Sequence, residues 1–279
     1  MSKNIFSVLL LLLVFTFAGC TKTSDSSQNG NGSKENGNGT ETTADSEQIR
    51  NSAAEIYAKK QVPVICYHRI EYGRNDEYTV TPATFEAHMK ALADSGYHSI
   101  SPDEYYNYLV FNKTLPEKPI MITFDDSRTE HATIGAPVME KYGFKGVFFI
   151  MTITYNKKNY MTTDQIASLA KAGHSIGLHS WDHTRATKYD NDSILNKNII
   201  EPRKKLEEII GQPVNYFAYP YGLTDDMATK RMNDYFNISF ILSTKQDSVY
   251  PLQTVRRMIA PEWKPQSLLR AMNKTFSRR

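Results

Sequence analysis

The apolar run Ile120-Met121-Ile122-Thr123-Phe124 ends in two adjacent carboxylates, Asp125 and Asp126. A second apolar run, Ser175 to Leu178, ends in His179-Ser180-Trp181-Asp182-His183. One strand that delivers acids at its C-terminal end and another that delivers a histidine pair can build a three-ligand metal site with an open position, which is hydrolase equipment. Successive side chains on a strand point to opposite faces, so one aspartate can bind a cation while its neighbour faces the substrate as a base. His179 and His183 stand at i, i+4, a spacing that puts both imidazoles on one face of a helical turn and also lets them converge at a strand-to-loop corner. A lone Asp-Asp pair is most often a turn or a helix cap. The five apolar residues before this one argue for a strand end.

The elements that must hold these groups follow from hydrophobic periodicity. From Val62 onward, short β-rich runs alternate with helical patterns, the rhythm of βα units around a largely parallel sheet or barrel. Strands are expected at Val62 to Cys66, Ile120 to Phe124, Gly146 to Ile150, Ser175 to Leu178, Asn215 to Tyr219, Ile238 to Leu242 and Thr254 to Met258. Thr81-Pro82 opens a helix with a cap and an N1 proline, and Phe85, Met89 and Leu92 share one face of it. Ser101-Pro102-Asp103-Glu104 and Thr162-Thr163-Asp164-Gln165 read as capping boxes, and Gly173 and Gly211 fall where helices should stop. The fold class is therefore α/β: a distorted or incomplete (β/α) barrel of about seven strands in a single domain.

Composition narrows the function. The 279 residues are 40% hydrophobic and 23% charged with a formal net charge of +3, and no basic run interleaved with aromatics occurs, so nucleic acid is not an expected partner. Seventeen tyrosines against two tryptophans suit a sugar cleft, where a flat apolar ring with a polar tip is useful.

Lys3 followed by the apolar stretch Val8 to Phe15 resembles an export signal, spanning residues 1–19. It ends in Phe17-Ala18-Gly19-Cys20, which resembles a bacterial lipobox with Phe17 in place of the usual Leu, and implies a lipid on Cys20 and an exported, membrane-anchored protein. Cys66 would then be the sole remaining thiol, so the domain carries no internal disulfide. Thr21 to Ser46 offers no apolar side chain but Ala44 and reads as a tether; about 26 flexible residues span roughly 30 Å. The expected division is residues 1–19 signal, 20–60 lipidated cysteine and flexible linker, and 61–279 the folded domain.

With these residues in view, the sequence resembles the polysaccharide deacetylases of NodB homology, carbohydrate esterase family 4, from about Val62 to Met258. Thr123-Phe124-Asp125-Asp126 resembles the family's first motif, which implies Asp125 as general base and Asp126 as a metal ligand. His179-Ser180-Trp181-Asp182-His183 resembles the second, which implies both histidines as the other ligands. Phe217-Ala218-Tyr219-Pro220-Tyr221-Gly222 lies where the third motif walls the groove, and there the resemblance implies that the Tyr221 backbone N–H holds the oxyanion. Two departures stand out. Ala218 occupies the place where many members carry an arginine that orients the base; Arg256 or Arg257 on the last strand could supply it, or both could be an exposed basic pair. The family's late histidine, the acid that protonates the leaving amine, is missing, since no histidine follows His183.

Val64-Ile65-Cys66-Tyr67-His68-Arg69-Ile70 offers a replacement, because His68 ends the first strand on the same barrel face. This arrangement, with Tyr78-Thr79-Val80-Thr81-Pro82, Phe85 and Gly96-Tyr97, resembles the branch that deacetylates poly-β-1,6-N-acetylglucosamine. His174 is expected at the opposite end of the barrel in a structural role, and His88, His98 and His131 at the surface. The resemblance thus implies a monomeric, metal-dependent hydrolase that removes N-acetyl groups from a cell-surface polysaccharide. The cation is divalent, zinc first, though two imidazoles and a carboxylate also admit cobalt, nickel or iron. Deacetylation of peptidoglycan, chitin oligomers or xylan, and a non-catalytic sugar-binding lipoprotein, are the alternatives.

Overall fold

The computed structural model describes residues 49–243 and 245–277; the expected signal segment, Cys20 and the tether to Ser46 lie outside them. Among the described residues, eleven strands form: β1 Val64–Tyr67, β2 Arg69–Ile70, β3 Thr79–Val80, β4 His98–Ser99, β5 Pro119–Phe124, β6 Val147–Ile150, β7 Ser175–Leu178, β8 Tyr216–Ala218, β9 Ile238–Ile241, β10 Val255–Arg256 and β11 Met258–Ile259. β1 pairs with β5, and the ladder continues through β6, β7, β8, β9 and β10, every pairing parallel. β10 and β11 are two halves of one segment interrupted at Arg257, and β11 pairs back onto β1, so the sheet curls into a nearly closed barrel. Counting that broken segment once gives the seven strands expected. β4 pairs with the N-terminal residues of β5, Pro119 and Ile120, and β2 and β3 form a separate ribbon.

The barrel strands are buried along almost their whole length because both faces are covered, which is why they read as continuous apolar runs instead of alternating ones. Alternate residues nevertheless go to different cores. Val64, Met121, Val147, Phe149, Ala218, Phe240 and Val255 fill one cluster within the barrel, whereas Ile65, Ile120, Ile122, Phe148, Ile176, Leu178 and Phe217 pack against the surrounding helices. Helix Pro82–Asp94 opens on Thr81, whose hydroxyl takes the Thr84 N–H, and buries Phe85, His88, Met89 and Leu92. The capping boxes at Ser101 and Thr162 both form, opening helices Pro102–Phe111 and Thr163–Lys171.

The folded part begins before residue 61. Helix Ala53–Ala58 starts from a further capping box, Ser52 with Glu55, and buries Ile56; Asn51 is tied to helix Pro102–Phe111 through Val110 O at 2.8 Å and Leu109 O at 2.7 Å. The end of the expected flexible linker is thus docked, because a single apolar side chain and a good cap suffice for one short turn on an existing surface. Among the described residues no helix is long and apolar enough to cross a membrane.

Candidate active site

Strand parity brings the polar residues together. Met121 and Thr123 face the barrel interior, so Asp125, two residues on, emerges at its C-terminal mouth on the same side. Val64 and Cys66 give His68 the same parity on β1, and Val255 gives it to Arg257. On β7 the inward residue before His179 is Gly177, where a Cβ would lie 2.6 Å from the Phe149 ring, so glycine is needed for that strand to sit against β6.

Asp126, His179 and His183 present ligand atoms that all lie within 4.8 Å of one another. Asp126 Oδ1 is 3.6 Å from Nε2 of His179 and 3.6 Å from Nε2 of His183. Ligands held ~2.0–2.1 Å from a tetrahedral zinc stand ~3.4 Å apart, so these donors could close on a divalent cation with little movement. The buried His179 ring donates from Nδ1 to Ala218 O at 2.7 Å, which leaves a bare lone pair on Nε2, facing the other donors. Asp126, Ser180 and His183 adopt left-handed backbone with φ of 74°, 65° and 67°, and the Ser180 hydroxyl accepts the His183 N–H at 2.9 Å. The histidine pair therefore converges at a strand-to-loop corner, the second of the two geometries that its spacing allowed. Burial pushes the His183 imidazole down to about 4, with the neighbouring His179 acting in the same direction, so the ring is neutral and free to bind at ordinary pH.

Asp125 is buried and held by both oxygens: Arg257 Nη1 lies 2.7 Å from Oδ1 and Nη2 2.7 Å from Oδ2. Arg257 Nη1 also reaches Thr123 Oγ1 at 3.2 Å and Cys66 Sγ at 3.4 Å. Burial alone would raise the Asp125 pKa, but the guanidinium charge and its hydrogen bonds outweigh this and hold the carboxyl well below the usual carboxylate range. Of the two candidate arginines, then, Arg257 grips the carboxylate, while Arg256 turns to Gln61 Oε1 at 2.6 Å. Neither is an exposed basic residue. The sequence assigns Thr123 and Cys66 no role beside Asp125; their parity with Asp125 and His68 is the signal that places them there.

His68 stands across from this carboxylate, Nε2 3.8 Å from Asp125 Oδ2, with its ring edge-on to Tyr78 at 5.1 Å between centroids. Burial lowers its pKa, and Asp125 and Asp126 pull it back up. Tyr221 follows β8 in left-handed backbone, φ 63° and ψ 5°, with its ring 4.4 Å from His183 and 52% exposed at the rim.

Of the other histidines, His174 sits at the opposite end of the barrel, accepting the Gly146 N–H at 3.0 Å. His98 is exposed. His88 and His131 are not surface residues: both are buried, His88 between Tyr67 OH at 3.1 Å and Trp263 O at 2.7 Å, and His131 against His68 O at 2.7 Å. Sequence alone could not separate these rings from solvated ones, because polar residues on an apolar helix face carry no mark of the partner they meet.

An α/β barrel whose mouth gathers an Asp–His–His cluster beside an arginine-gripped carboxylate is the arrangement implied by the resemblance to the NodB-homology deacetylases. Residues 112–236 match the polysaccharide deacetylase family. YxkH of Bacillus subtilis, whose name assigns it to the same family, is 30% identical over 170 residues, covering 61% of this chain and 60% of its own length. The poly-β-1,6-N-acetyl-D-glucosamine N-deacetylase of Staphylococcus aureus is 24% identical over 162 residues, covering 53% of this chain and 56% of its own. The chain thus spans less than two thirds of these relatives, and other relatives bear names for chitin and peptidoglycan deacetylases. The fold matches that of the Streptococcus pyogenes deacetylase PplD with a TM-score of 0.70 at 21% identity, over 76% of this chain and 98% of that one.

Proposed function

We propose that this domain removes N-acetyl groups from a cell-surface polysaccharide built of N-acetylglucosamine, with poly-β-1,6-N-acetylglucosamine as the favoured substrate. The observation that carries this reading is the position of His68, delivered by the first strand to within 3.8 Å of Asp125, where a chain with no later histidine has a proton donor for a departing amine.

Asp126, His179 and His183 would hold a divalent cation, zinc first. When bound, such a cation polarises an acyl oxygen and lowers the pKa of water. Asp125, kept ionised by Arg257, accepts a proton from the attacking water as its oxygen adds to the acetyl carbon. The backbone N–H of Tyr221 donates to the oxygen that gains charge. His68 gives a proton to the amide nitrogen as the carbon–nitrogen bond breaks, leaving acetate and a free amine. Since burial favours neutral His68, the proton taken up by Asp125 at 3.8 Å is a direct source from which to recharge it. A non-catalytic sugar binder needs neither a gripped carboxylate nor a facing imidazole, which is the argument against that alternative.

The protein would act outside the cytoplasm, as a monomer tethered by a lipid on Cys20. Fatty-acid labelling that persisted in Cys20→Ala would refute the anchor. The activity is tested by acetate release from poly-β-1,6-N-acetylglucosamine, chitin oligomers, peptidoglycan and acetylated xylan, with metal content measured on the same sample. Release from the first substrate is expected to be fastest; no release from any would refute the enzyme reading.

A further inference from the structure

His131 is a buried titratable group beside the site that this chemistry leaves unused. It opens the π-helical turn His131–Gly135, which follows the loop after Asp126, and its side chain is fully buried against the rings of Phe124 and Phe148. Nε2 lies 2.7 Å from the backbone oxygen of His68. A carbonyl can only accept, so the proton is on Nε2, and Nδ1 is left buried without a partner among the described residues. An unpaired buried nitrogen costs stability, and an apolar side chain would fill the same space without that cost.

The bond lies where the backbone changes course. Through Tyr67 the chain is laddered to β5, Tyr67 itself pairing with Phe124 and its carbonyl accepting the Asp125 N–H at 3.1 Å. From Arg69 it pairs instead with β3, the Arg69 N–H going to Tyr78 O at 3.0 Å. His68 is the single residue between the two ladders, and its carbonyl is held by the His131 ring. We infer that His131 is a positioning residue for leaving-group protonation: by fixing the peptide of His68 where β1 leaves the barrel, it aims the His68 ring at Asp125 and at the departing nitrogen.

This rests on the assignment of His68 as the acid, and the two can be tested apart by comparing a substrate with a poor leaving group with one that needs no proton. Deacetylation of an N-acetylglucosamine oligomer expels an amine; hydrolysis of 4-nitrophenyl acetate expels a stable phenolate. His131→Leu and His131→Asn should lower kcat on the amide about 10–100-fold, the scale for a partner behind a working side chain, with KM and metal content unchanged and ester hydrolysis within about twofold. His131→Gln, whose amide nitrogen reaches where Nε2 sits, should recover most of the amide rate. If His131→Leu does not fold, the Asn and Gln pair decides. Equal losses on both substrates, or no loss on the amide, would overturn the inference. The parallel variant His68→Ala separates the two readings: if it turns over the amide at the wild-type rate, the assignment of His68 fails first.

Discussion

Arg257 and Asp125 form a two-pronged ion pair in the barrel mouth, each carboxylate oxygen 2.7 Å from a different guanidinium nitrogen, both side chains buried. Removing one partner strands a buried charge, which costs far more than the intact pair contributes. Arg257→Ala should therefore lower stability by about 3–5 kcal/mol in urea unfolding. Arg257→Lys should recover only part of this, because an ammonium cannot reproduce the fork. An unfolding midpoint unchanged by either variant would show that the pair does not grip as described.

Metal binding and proton abstraction should separate by mutation. His183→Ala is expected to lose metal and turnover together, whereas Asp125→Asn should retain metal and lose most turnover. The Asn variant also leaves Arg257 without its counter-charge, so both are to be compared at a temperature where each is folded. Near-wild-type acetate release by Asp125→Asn would remove the carboxylate from the proposed chemistry.

His68→Ala should depress amide turnover by about 10²–10⁴-fold, the scale for a positioned general acid, without changing metal content. Kinetics on an N-acetylglucosamine oligomer, with metal analysis of the same preparation, measure both quantities.

Acid should destabilise the fold in a window set partly by His131. Burial pushes its imidazole from the ordinary value near 6.5 down to about 4, so the unfolded chain takes up the proton first as pH falls. Its contribution is complete above pH ~6.5 and is lost progressively as pH falls towards 4. The loss reaches about 3 kcal/mol, because each tenfold difference in proton affinity between the folded and unfolded chains is worth ~1.4 kcal/mol. His131→Gln should flatten this part of the stability profile in urea titrations between pH 4 and 7. A slope identical to wild type would mean that other groups carry the acid sensitivity.

What the sequence alone determined is local. Apolar runs mark the barrel strands, capping residues mark helix starts, and strand alternation sends Asp125 and Asp126 in different directions, because a strand's two-residue repeat and a cap's hydrogen bonds are properties of neighbouring residues. Tertiary structure decided everything that depends on which distant surfaces meet. Arg256 and Arg257 are indistinguishable as neighbours in the chain, but closure of the barrel turns one towards Gln61 and the other onto Asp125. His131 and His88 look like surface residues until the carbonyls of His68 and Trp263 arrive beside them. The end of the linker looks unstructured until helix Pro102–Phe111 provides a surface for it. In each case the deciding partner lies far along the chain, and its arrival is set by the packing of the whole barrel, which no local pattern encodes.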